Sequence, residues 1–147
     1  MNPDPQACQL PFVLPDGRAE RASLFAVRRM AAHGLRDVSA AWLMLGCHST
    51  GFRRPLVLLR AFMLELAHTA QAPIRFAPCC APRMTRHEAL ILKVLHSAAA
   101  DLEGAEQALV ELTGNSRVFE PLSAAVVFSR AIHPGAAEVD VAGWTPD

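Results

Sequence analysis

TRHEALILKVLHSAAADLEGAEQALVELT (Thr85–Thr113) is the stretch on which the fold turns. Ile91, Leu95, Ala98, Leu102, Ala105, Leu109 and Leu112 recur in alternating steps of four and three, which keeps one face of a helix apolar. Lys93, His96, Glu103, Gln107 and Glu111 fall opposite, on a face for water. Thr85 and Glu88 stand in the T-x-x-E arrangement of a capping box, where each side chain satisfies a free backbone donor of the other's residue. Gly114-Asn115 supplies the stop. The pattern predicts one long helix, with Gly104 on its wet face as a place to bend.

Working outward, Pro55 opens a helix that runs to about Gln71, since a missing N–H is harmless in the first turn. Leu56, Leu58, Leu59, Phe62, Met63, Leu66 and Ala70 cover about half of its surface, while Val57 and Leu64 fall on the other side beside Arg53 and Arg60. So oily a helix belongs at the centre, or is covered partly by a second subunit. Two helices precede it. The first runs from about Arg18 to His33 and stops at Gly34. The second is capped by Asp37 and runs from about Val38 to Ser49, with Gly51 as its end and Val38, Ala41, Trp42 and Leu45 on one face. A last helix, from about Glu120 to Ile132, carries Pro121 in its first turn and ends at His133-Pro134-Gly135.

These spans give an all-α fold: a five-helix antiparallel bundle forming one domain over residues 1–147, with its third and fourth helices as the centre. Residues 1–17, which hold four prolines, read as an extended arm whose apolar residues pack over the core. Residues 136–147, with Trp144, form a tail.

Composition agrees with helices and narrows the classes of function. Ala supplies 26 of 147 residues and Tyr is absent, a mix that favours helix over sheet. The net charge is zero, which argues against a nucleic-acid partner. The charge is split, however. Residues 1–93 hold 12 basic and 6 acidic side chains, and residues 94–147 hold 2 and 8, so the halves carry +6 and −6. Such halves attract each other, within one chain or between two. No uncharged stretch reaches the ~20 residues of a membrane span, and no signal peptide is legible at the N-terminus. A cytoplasmic setting with reduced Cys8, Cys47, Cys79 and Cys80 follows as the expectation.

Between the third and fourth helices lies Ala72–Met84, broken by Pro73, Pro78 and Pro82. It is long for a bundle connection and too apolar for disorder, because Ile74, Phe76 and Met84 should pack. We expect an ordered Pro/Cys loop. The strings RRPLVLLRAFMLELA (Arg53–Ala67) and IRFAPCCAPRMTRHEALIL (Ile74–Leu92) resemble a family of small alphaproteobacterial proteins known only as a domain of unknown function. The resemblance covers roughly a third of the chain. It implies a bacterial setting and carries no activity, cofactor or functional residue with it.

Site candidates gather on the loop. Cys79 and Cys80 form a thiol pair near Arg75, Arg83 and Arg86, a setting for redox chemistry. The same pair, completed by Cys47, His48 or His87, is a candidate set for a soft metal, although adjacent cysteines chelate poorly and the alternative is simple packing. Arg75, Arg83, Thr85 and Arg86 form a candidate anion site at a helix start, the alternative being solvated or carboxylate-paired arginines. Arg18, Arg21, Arg28, Arg29, Arg53 and Arg60 define a weaker basic-surface reading. No Gly-rich phosphate loop, G-x-S-x-G or H-E-x-x-H motif occurs, and Glu65–His68 gives E-x-x-H spacing only once. The expectation is therefore a non-enzymatic interaction or scaffold protein that self-associates as a homodimer, with no catalytic residues and no cofactor. Another protein partner remains open. The alternative is a redox- or metal-responsive regulator using Cys79, Cys80 and His87.

Overall fold

A computed structural model describes residues 10–47 and 53–133. Cys8, His48, Gly51, the expected helix end at Ser49 and the tail with Trp144 lie outside the described residues. The elements run β1 (Phe12–Val13), α1 (Arg18–His33), α2 (Val38–Cys47), α3 (Arg53–Thr69), β2 (Arg83–Met84), α4 (Arg86–Ser97), α5 (Leu102–Thr113) and α6 (Phe119–Ile132). The fold is mostly helical, as composition implies. No helix among the described residues is long and apolar enough to cross a membrane.

The expected fourth helix is two, so the described residues hold six helices rather than five. Ser97 O accepts from Ala100 N and Asp101 N, and the chain leaves α4 there. Asp101 then caps α5, its Oδ1 taking the Gly104 N–H at 2.9 Å. α5 folds back against α4. The seam survives because both arms of this hairpin use helical spacing for their inner faces. Ile91, Leu95, Ala98, Ala105, Leu109 and Leu112 are all buried, and only Leu102, just past the break, is exposed.

The centre also differs from the expected pair of rods. α6 packs along α3 and also against α4, burying Ala125 and Phe128, so it separates the two helices expected to meet. Nor does His96 stand in water. It meets Ser23 Oγ at 3.0 Å and the Phe128 ring edge-on. On α2 the expected apolar face is split: Ala41 packs partly against the core, but Val38 and Trp42 point outward. Ala40 and Met44 are buried, whereas Val38 is exposed and Trp42 is 75% exposed.

Caps and stops follow the local chemistry. Asp37 Oδ2 accepts from Ala40 N at 2.9 Å at the start of α2. Gly34 and Gly114 take φ of 101° and 68°, a region where a side chain is strained, and end α1 and α5.

The described part of the arm does pack over the helices. β1 pairs antiparallel with β2, Phe12 opposite Met84 and Val13 opposite Arg83. Phe12 and Leu14 cover a small cluster of Leu24, Met84 and Leu92, apart from the main core to which all six helices contribute. The arm and the Pro/Cys loop are thus tied together on one side of the helices.

Candidate functional site

The loop is held by a buried charge pair. Arg28 lies on the inner face of α1 and is 3% exposed; Glu88, in the first turn of α4, is 1% exposed. Arg28 Nε and Nη2 donate to Glu88 Oε2 at 3.1 and 2.8 Å. Its remaining donors reach the loop backbone: Nη2 to Arg83 O at 2.8 Å, Nη1 to Ala81 O at 3.1 Å and to Cys79 O at 3.5 Å. These five bonds match the five donors of a guanidinium, which is the condition for burying one. Glu88 Oε1 accepts from Ala77 N, so the carboxylate grips the loop as well. The capping box is therefore half formed. Thr85 Oγ1 accepts from Glu88 N at 3.0 Å, but the Glu88 side chain turns inward instead of back to Thr85.

Within the loop, Ala81 N donates to Pro78 O at 3.0 Å, closing a turn with Cys79 and Cys80 at its centre. Neither has positive φ, which makes it a type I turn. Both thiols are free; Cys79 is half-buried and Cys80 exposed. A cleft of about 240 Å³ opens beside them, walled by Leu24, Phe25, Arg21 and Arg28 and free of carboxylates. Arg29 lies near the turn, its fork held by Asp37 at 3.1 and 2.9 Å. The hydrogen bond to Asp37, and to a lesser degree the Cys79 side chain, raise the Arg29 pKa. In return, Arg29 and then the Ala40 N–H hold the Asp37 carboxyl below its ordinary range.

A second cleft, about 750 Å³, lies across the loop and is lined by Arg75, Thr85, Arg86 and His87 among apolar residues that include Leu10, Pro11 and Phe76. Its floor is pinned by α4. Arg75 N donates to His87 Nδ1 at 2.8 Å, and Thr85 Oγ1 donates to Arg75 O at 2.9 Å. With Nδ1 accepting, the neutral His87 ring carries its proton on Nε2.

Of the sequence candidates, Arg75, Thr85, Arg86 and His87 share this cleft, and Cys79 and Cys80 share the smaller one. Arg83 stands apart, donating to Leu10 O at 2.7 Å and Pro11 O at 3.0 Å. Arg86 pairs with Glu111 through Nε at 2.6 Å and through Nη2. Among the described residues, no group of three His, Cys, Asp or Glu side chains is placed to hold a metal ion. Four of the six basic-surface candidates are engaged within the protein: Arg28 is buried with Glu88, Arg29 pairs with Asp37, and Arg21 and Arg60 bond the carbonyls of Pro15 and Leu35.

Sequence reasoning missed the Arg28–Glu88 pair, although a signal was there. Glu88 precedes Ile91 and Leu95 on the apolar seam, and Arg28 follows Leu24 at the same helical spacing.

The fold and this site define a class: a mostly helical protein whose proline- and cysteine-bearing loop is anchored by a buried arginine–glutamate pair. The chain belongs to the family described as "Family of unknown function (DUF6628)", whose model matches residues 2–139. No curated protein matches it. No solved structure matches it either.

Proposed function

We propose that this protein is a non-enzymatic interaction module that self-associates through the outer face of α3. The observation that carries the reading is a stripe of Val57, Ala61 and Leu64, spaced by four and three residues, with all three side chains exposed. Val57 is 56% exposed and Leu64 42%. α2, which packs on α3, also exposes Val38 and Trp42. Isolated exposed aliphatics are ordinary, but a stripe at helical period is the face that a partner helix covers.

A second copy fits this stripe. Antiparallel pairing about a twofold axis at Ala61 sets Val57 of one copy against Leu64 of the other, and the small Ala61 permits close approach. It also brings Arg54, at the start of one α3, towards the negative C-terminal end of the other. Size-exclusion chromatography with light scattering tests the reading. We expect a dimer at micromolar concentration, and a monomer for Val57→Asp/Leu64→Asp with unchanged helical content. A wild-type monomer at tens of micromolar rules the dimer out.

A second reading rests on a different observation: the thiol of Cys80 is exposed while Cys79 lies half-buried near Arg29. In this reading the turn is a thiol-based sensor. Two unreactive thiols in the native protein would remove it.

A further inference from the structure

We propose that Cys79 and Cys80 form an oxidation site for small hydroperoxides, closing to a vicinal disulfide that unlatches the loop from Arg28. The inference rests on the thiol reading above and deepens it.

Accessibility assigns the first step. Cys80 is the exposed member of the pair, and the neighbouring cleft is large enough for a small oxidant. The Cys80 thiolate attacks the O–O bond of a hydroperoxide ROOH, giving Cys80–SOH after protonation and releasing ROH. Cys79 then attacks the sulfenic sulfur. An S–S bond forms, and the hydroxyl leaves as water with the Cys79 thiol proton. The hydroperoxide takes up the two electrons that the thiols lose. A dithiol reductant reverses the step by thiol–disulfide exchange.

The turn couples this chemistry to the fold. In a type I turn both central residues lie near helical backbone angles, so their side chains diverge. A disulfide needs Cβ atoms about 3.8 Å apart. Reaching that distance requires rotation of the Cys79–Cys80 peptide, whose carbonyl is an acceptor for Arg28. Ala81, the next acceptor, closes the turn and moves with it. Ala77, Pro78, Ala81 and Pro82 also wall the cleft that holds Arg75 and His87, so oxidation reshapes that cleft.

The test is peptide mass mapping of the full-length protein after hydrogen peroxide, with free thiols blocked before digestion. Trypsin isolates Phe76–Arg83, which contains Cys79 and Cys80 and no other cysteine. We expect this peptide to lose about 2 Da, escape blocking, and recover both thiols after a dithiol reductant. Cys79→Ser should instead retain a trappable sulfenic acid at Cys80. Native proteolysis after Arg83 should become several-fold faster on oxidation and return to its starting rate on reduction. Oxidation of Cys80 to the sulfinic acid without a linked peptide overturns the disulfide but leaves a reactive thiol. An unmodified pair overturns both. A linked peptide with unchanged proteolysis overturns the coupling to Arg28. The Cys79→Ser/Cys80→Ser variant, checked for native thermal unfolding, should show no oxidation-dependent change in cleavage.

Discussion

Arg28 and Glu88 show how a buried charge can be tolerated: every donor and both carboxylate oxygens are occupied. Removing one partner strands the other in the core. Glu88→Ala should therefore lower stability by about 3–5 kcal/mol in urea unfolding, whereas Arg28→Met/Glu88→Leu should cost less than Glu88→Ala alone. An additive double variant would show that the pair does not act as a unit. Arg29–Asp37 behaves differently with pH. The Asp37 pKa is lower in the folded chain than unfolded, so the pair's contribution is fully present above the unfolded value. It is lost as pH falls through the folded value. Asp37→Asn should flatten the acid limb of the stability curve below about pH 4, as read by urea midpoints across pH.

Elements were legible where one local signal decided them. Asp37, Gly34 and Gly114 mark α1, α2 and α5 boundaries in the sequence as they do in the fold. The break at Ala98–Asp101 was not legible in the periodicity, because both arms of a tight hairpin continue the same three-four pattern. Ala98-Ala99-Ala100 also favours continued helix. Asp101 was the available signal, since a short acid at the head of an apolar run competes for backbone donors. Asp101→Ala should cost about 1 kcal/mol and lower the melting temperature by roughly 2–4 °C in a calorimetric scan. No change would mean that packing alone sets the corner. The outward placing of Val38 and Trp42 on α2 has a related cause: helical spacing says which residues share a side, not which part of that side meets the core.

At the scale of the whole molecule, the opposed charges of the two halves do little to join them within one chain. Among the described ion pairs, Arg28–Glu88 and Arg29–Asp37 both lie within the basic half, and only the exposed Arg86–Glu111 bridges the two. Much of the charge stays available at the surface, where it steers encounter. The contact proposed for α3 is chiefly apolar, so the dimer should persist in high salt while its rate of formation slows. The functional class was the least legible part. The α3 stripe could be read from spacing, but not the grip on the thiol turn, which depends on loop carbonyls that Arg28 reaches 51–55 residues away in sequence.

The β1–β2 pairing also bears on the order of synthesis. Leu10 bonds Arg83 across 73 positions. At ~5–20 residues per second, a ribosome makes the second strand roughly 4–15 s after the first. Until then Phe12 and Leu14 have neither Met84 nor Leu92 to cover. The nascent arm therefore waits, greasy and unpaired, within reach of any chaperone that binds short apolar segments.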